Sequence, residues 1–272
     1  MVSSSDLSTK VLLKDLKNTL PIPVKGKTDQ SFSFIDWTMK EEKELAKIQA
    51  KNPTMGRFVS AVLCLMLKSI HGEDFAALDE KARILAINQM FLGNVLYMYV
   101  YLRYDQLSAE VKFDYTCPFC RTPVKNFTAS LDDLDIDTKK VDYQEIIDYR
   151  LRKPVTLVKG DQLVEVVKLS MAKWDVMERA DTQESTDMAS MKEHTFKGSI
   201  KGFEGVTGFA TDEVVAKLHK IDIELLQKVI AEHNAGPTIV SEIECKKCNN
   251  TFYRQIDWSY ESFFGVGSLP QA

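Results

Sequence analysis

The chain has 272 residues, a formal net charge of −4 and 44% hydrophobic residues. The length allows one large domain or two modest ones, and the apolar content is enough for a packed core. The mild acidity excludes binding to nucleic acid by bulk charge alone and leaves room for a local basic patch.

The start, MVSSSDLSTK, has no apolar signal core, so a reducing intracellular setting is expected. Residues 1–30 read as a loosely structured arm. Within it, Leu20-Pro21-Ile22-Pro23-Val24-Lys25-Gly26-Lys27 favours extended backbone, because each proline fixes its own φ and restricts its neighbour. Residues 32–37 alternate like a short strand. Thr38 and Glu41 have capping-box spacing and predict a helix to about residue 50. Asn52-Pro53 predicts the next helix start. Met55, Phe58, Val59, Val62, Met66 and Ile70 supply its apolar face, and Gly72 its stop.

A third helix is predicted from Leu78-Asp79 through Ile84, Ile87, Phe91, Val95 and Met98. Tyr97, Tyr99 and Tyr101 alternate, so helix and strand compete there. Residues 58–67 are apolar but too few to cross a membrane. Residues 84–102 are numerous enough, but Asn88, Gln89, Gly93 and Asn94 interrupt them, so a buried helix and no membrane span are expected. Residues 31–110 therefore read as a helical domain.

Residues 111–116 alternate like a strand and enter Cys117-Pro118-Phe119-Cys120, and 121–127 leave it. The plan repeats: 239–244 enter Cys245-Lys246-Lys247-Cys248 and 251–256 leave. These segments define ribbon halves at 111–130 and 238–258. Between them, 131–237 form an insertion. Residues 155–158 and 163–169 read as a hairpin joined at Lys159-Gly160-Asp161. Ser170 is placed to cap a helix carrying Met171, Trp174 and Met177. Residues 181–194 read as a polar helix, and Gly198, Gly202, Gly205 and Gly208 as a flexible loop. Helices follow at 212–220 and 222–233, stopped by Gly236-Pro237. Residues 259–272 are a tail. The fold class expected is α+β: a helical N-terminal block, a split zinc ribbon of two CxxC β-hairpins, and a mixed α/β insertion between them.

Four of the five cysteines lie in the two CxxC pairs, and Cys64 reads as a buried small hydrophobe. Two residues between cysteines let the chain curl so that both sulfurs face one ion, and two such turns supply a tetrahedron. Cys117, Cys120, Cys245 and Cys248 are thus predicted to hold one structural Zn2+. The long separation of the pairs is no obstacle, since loop entropy grows only logarithmically with length. The competing reading is a thiol oxidoreductase, because CPFC resembles a glutaredoxin-type site. A redox CxxC opens a helix, however, and residues 121–127 look extended.

His71, His194, His219 and His233 show no metal-ligand spacing, and the glycine run lacks the ending of a phosphate-binding loop. Asp132, Asp133, Asp135 and Asp137 do not fit a calcium-binding loop and read as a solvated turn. No catalytic set is legible, and no enzyme is expected. Arg121, Lys125, Lys246, Lys247 and Arg254 flank the cysteines, which makes a zinc-ribbon nucleic-acid-binding regulator a second alternative. The acidic chain argues against tight phosphate binding.

The order of features is similar to the baseplate hub and hub-assembly proteins of T4-like contractile-tailed phages. It combines the Leu20–Lys27 loop, a helix leading to Arg103, CPFC, Leu131-Asp132-Asp133-Leu134, the second CxxC and the aromatic end Asp257-Trp258-Ser259-Tyr260-Glu261-Ser262-Phe263-Phe264. The resemblance implies a structural or assembly component of the tail baseplate hub. It implies a place in the virion, with host cytoplasm during assembly, and partners among other hub proteins and the tape-measure protein. Trp258, Tyr260, Phe263 and Phe264 are the expected partner-binding aromatics. Because Phe263 and Phe264 are adjacent, one is expected to pack inward and the other to stay available.

Overall fold

The computed structural model describes residues 8–51, 54–157, 162–180, 188–206, 211–256 and 263–264. The expected features at Asn52-Pro53, Lys159-Gly160-Asp161, 181–187, Gly208, Trp258 and Tyr260 lie outside them.

In chain order the elements are β1 (Ser8–Leu12), α1 (Leu13–Leu16), β2 (Phe32–Phe34), α2 (Met39–Lys51), α3 (Met55–Met66), β3 (Leu67–Ile70) and β4 (Glu73–Asp74). Then come α4 (Glu80–Gln89), α5 (Leu92–Gln106), β5 (Glu110–Thr116), β6 (Pro123–Ser130), β7 (Asp135–Lys139), β8 (Ile147–Thr156) and β9 (Leu163–Leu169). The remainder is α6 (Asp175–Ala180), α7 (Met188–Ser199), β10 (Ile200–Phe203), α8 (Thr211–Lys217), α9 (Lys220–His233), β11 (Gly236–Pro237), β12 (Val240–Glu244) and β13 (Thr251–Gln255). The molecule is a mixture of helix and sheet, and the strands form small antiparallel sheets ordered β1-β7-β11, β10-β9-β8, β2-β3-β4, β5-β6 and β12-β13.

The N-terminal segment is not a loose arm where it is described. β1 pairs with β7, and Leu13, Leu20 and Ile22 are buried. The Val24–Lys27 turn is pinned by Gln30, whose amide accepts the Val24 N–H at 2.8 Å and donates to Lys27 O at 2.7 Å. Thr38 opens α2 by donating its hydroxyl to Glu41 and accepting the Lys40 N–H.

Two predicted helices differ from expectation because distant backbone competes for their hydrogen bonds. The apolar period of α3 continues to Ile70, but the helix ends at Met66. Residues 67–70 instead pair with β2, placing Phe32 opposite Ile70. His71 and Gly72, at φ 55° and 75°, close the following turn in left-handed backbone. The single helix expected from residue 79 is two. Asp79 caps α4 by accepting the Ala82 N–H at 2.9 Å. At Met90-Phe91 the chain is extended, because Trp174 N–H donates to Met90 O and Leu92 N–H to Ala172 O, each at 2.9 Å. Tyr97, Tyr99 and Tyr101 are helical and buried.

α5 is buried around nearly its whole circumference and forms the axis of the main core, with α3 beside it. The same core takes Val111, Phe113 and Tyr115 of β5 and Ile243 of β12. Arg103, near the end of α5, is buried and donates to Glu110 O at 2.6 Å, fixing the start of β5. The insertion builds a second core, in which Val155, Val164 and Val167 meet Phe196, Val214 and Leu226. It also returns residues to the first: Ile136 of β7 and Trp174, whose Nε1–H donates to Ser60 at 2.8 Å.

The insertion corrects three local expectations. Ser170 does not cap a helix; its hydroxyl donates to Met171 O, and α6 begins only at Asp175. The glycine run is no loop up to residue 203, and Gly205 lies in the turn that follows. Gly198 lies in α7 and Gly202 in β10, and a Cβ on Gly198 would meet Val176 Cγ2 at 2.3 Å. The aspartate cluster is spread along a turn and β7, with Asp133 and Asp135 facing Lys14 and Lys10 at 3.6 and 3.7 Å. Among the described residues, no helix is long and apolar enough to cross a membrane.

Asn94 joins the proline-bracketed Ile22 to this frame. Its amide accepts the Ile22 N–H and donates to Ile22 O, both at 2.9 Å, and the side chain is wholly buried. Asn94→Leu keeps the branched shape, at a larger volume, but leaves two buried backbone groups unpaired. A loss of about 2 kcal/mol is expected, read by urea denaturation, with Asn94→Asp more damaging at neutral pH, where its carboxylate is a buried charge facing Ile22 O, than at acid pH, where the protonated carboxyl both accepts and donates.

Candidate metal centre

The centre is assembled from two turns of the same design. β5 and β6 pair from Glu110↔Ser130 to Thr116↔Pro123, and the CPFC turn joins them. β12 and β13 pair from Val240↔Gln255 to Glu244↔Thr251, and the CKKC turn joins them. In the first turn Cys117 N–H donates to Thr122 O at 2.9 Å and Arg121 N–H to Cys117 O at 3.0 Å. In the second, Cys245 N–H donates to Asn250 O at 3.0 Å and Asn249 N–H to Cys245 O at 2.7 Å. Arg121 and Asn249, at the same offset, both take left-handed backbone at φ 57° and 55°. Asparagine tolerates that region readily, whereas arginine adopts it at some energetic expense.

The two turns meet. All four sulfurs, of Cys117, Cys120, Cys245 and Cys248, lie within 4.8 Å of one another. Cys117 Sγ is 3.8 Å from Cys248 Sγ, and Cys120 Sγ is 3.7 Å from Cys245 Sγ. Cys117 and Cys245 are buried, while Cys120 and Cys248 keep partial access to solvent. The expected four residues are therefore brought together into a group that could hold a metal ion. It is the group of this kind found among the described residues, and no histidine or carboxylate joins it. Cys64 is elsewhere in the main core, and burial pushes its thiol up to about 12.

Aromatic rings seal the joint. Tyr115 meets Phe252 edge-on at 5.7 Å, and Phe119 meets the same ring at 6.2 Å. Tyr115 also packs on Phe127 at 5.4 Å, so one buried ring touches both hairpins.

The thiols are not equivalent. Burial raises Cys117 to about 11, against the pull of the Cys120 and Phe119 N–H groups. Cys120 is lowered to about 6, first by the Thr122 hydroxyl, whose oxygen lies 3.2 Å away, and then by the Thr122 N–H. Cys245 is lowered by the Cys248 and Lys247 N–H groups. These donors aim at sulfur and favour thiolates, the form in which cysteine binds a metal. Thr122 escaped the sequence reading. Its signal was its offset from the first CxxC, where the second turn has Asn250.

The expected partner-binding aromatics fare differently. Phe263 and Phe264 are both buried, which corrects the expectation that one stays available. Phe263 stacks on Tyr99 at 5.2 Å, and Phe264 packs on Tyr99 and on Trp37 at 5.2 and 5.3 Å. The two adjacent side chains thus grip one ring, with Phe263 in helical backbone and Phe264 in a turn. Trp258 and Tyr260 fall outside the described residues. Arg121, Lys125, Lys246, Lys247 and Arg254 are solvent-exposed around the turns.

Comparison with protein-family models, with curated proteins and with solved structures finds no match.

Proposed function

We propose that this protein is a non-enzymatic structural or assembly component of a contractile phage tail baseplate hub, held together by a four-cysteine zinc clamp. The observation that carries the clamp is the spacing of the sulfurs. A regular tetrahedron with zinc–sulfur bonds of about 2.3 Å has edges of about 3.8 Å. The two cross-hairpin contacts, at 3.8 and 3.7 Å, fit that edge. Four soft thiolates suit zinc and fill its coordination sphere, leaving no position for a reactive water.

In this reading Cys117, Cys120, Cys245 and Cys248 hold the ion and Thr122 orients Cys120. The ion supplies a fixed junction: it closes a split zinc ribbon and so holds both ends of the insertion against α5. The baseplate assignment rests on the sequence resemblance, and so do the virion location and the hub and tape-measure partners. A thiol oxidoreductase is disfavoured because the Cys117–Cys120 turn leads into strand β6 rather than opening a helix.

Three measurements test the reading together. Purified without chelator, the protein should carry one zinc per chain; iron in its place would change the assignment of the metal. Insulin reduction should be absent, and binding to duplex or single-stranded DNA should be weak at physiological salt. Affinity purification of the tagged chain from infected cells should recover tail proteins. Tight, steeply salt-dependent DNA binding with no tail protein recovered would favour the regulator instead.

A further inference from the structure

We propose that the four-cysteine centre is also an oxidation site, which peroxide converts into two disulfides between the hairpins, Cys117–Cys248 and Cys120–Cys245. Access and distance both point there. Of the four sulfurs, only those of Cys120 and Cys248 belong to partly exposed residues. Each has a buried sulfur of the opposite hairpin close by: Cys117 is 3.8 Å from Cys248, and Cys245 is 3.7 Å from Cys120.

The chemistry balances with one peroxide. The Cys248 thiolate attacks a peroxide oxygen; an S–O bond forms, the O–O bond breaks, and hydroxide leaves. The Cys117 thiolate then attacks the sulfenic sulfur; an S–S bond forms, the S–O bond breaks, and a second hydroxide leaves. Two thiolates lose two electrons to the peroxide, and the metal loses two ligands and departs. The sulfurs need only close from 3.8 Å to a bond of about 2.0 Å. A second peroxide joins Cys120 to Cys245 by the same route. The clamp thus has a covalent form, which spans the same two hairpins after the metal has gone and which thiol reductants reverse.

The departure of the metal rests on the proposed zinc clamp, whereas the disulfide pattern rests on the sulfur positions alone. The test titrates the full-length, zinc-loaded chain with hydrogen peroxide. Zinc release is followed with a metallochromic chelator, and linkages are mapped by mass spectrometry of non-reduced peptides. The expected result is loss of all bound zinc, with Cys117–Cys248 and Cys120–Cys245 as the linkages found. Dithiothreitol with added zinc should restore the starting metal content. Dominant Cys117–Cys120 and Cys245–Cys248 linkages would overturn the proposal, as would sulfinic acids without disulfides. Zinc content before peroxide reports on the clamp separately: its absence would contradict the clamp and leave the linkage pattern still to be read from the same digest.

Discussion

Cys117→Ser should lower the thermal midpoint by roughly 10 °C and abolish stoichiometric zinc, while Cys64→Ser leaves the metal in place. Structural zinc contributes on the order of 10 kcal/mol in small finger peptides, where folding and binding are one event. Here the hairpins also have Val111, Phe113, Tyr115 and Ile243 in the main core, so they do not depend on the metal alone. A net loss of about 4 kcal/mol is the expectation, which for a chain of this size corresponds to roughly 10 °C. The serine also leaves a buried hydroxyl where Cys117 is wholly buried. Differential scanning calorimetry with and without chelator checks both halves. Chelation should reproduce the effect of Cys117→Ser and add nothing to it. Cys64 is not a member of the cluster and packs in the main core, so its substitution acts through packing only.

Gly93→Val should be at least as damaging, by a different route. Gly93 opens α5 where β11 crosses it, and a Cβ there would stand 1.9 Å from Ala235 O, 2.7 Å from Ala235 C and 3.2 Å from Ile22 Cδ1. The first contact is backbone against backbone, so no rotamer relieves it. Either α5 or the β7–β11 pair must move. β11 leads from α9 into β12, so displacement there is transmitted to the second cysteine turn. A loss of about 4 kcal/mol or more is expected, at the upper end for overpacking. Gly93→Ala should lose nearly as much, because the offending atom is the Cβ itself. Urea denaturation with zinc content measured in parallel checks this, and wild-type stability in Gly93→Ala would refute the close approach.

The parts of the molecule legible in the sequence were those whose determinants are local. Strand-like segments at 111–116 and 121–127 bracket the first CxxC and those at 239–244 and 251–256 the second, and a CxxC between two strands has few ways to turn, so the hairpins and the four cysteines could be read directly. Asp79 and Thr38 announced their helices for the same reason. What the sequence did not disclose is pairing at long range. The break at Met90-Phe91 is made by residues 172–174, and the end of α3 by Phe32–Phe34; neither leaves a mark in the helical period itself. The N-terminal strand could not be recognised without β7, which lies on the far side of the first hairpin. Phe263 and Phe264 misled because adjacency was read as divergence. Side chains that leave the backbone in different directions still close on one buried ring, Tyr99.

Whether one zinc is shared by two hairpins far apart in the chain is decided by X-ray absorption at the zinc edge, on protein purified without chelator. One zinc per chain is expected, with four sulfur ligands at about 2.3 Å and no nitrogen or oxygen in the shell. Two sulfurs with nitrogen or oxygen completing the shell, or a metal-free chain of full stability, would contradict the shared site.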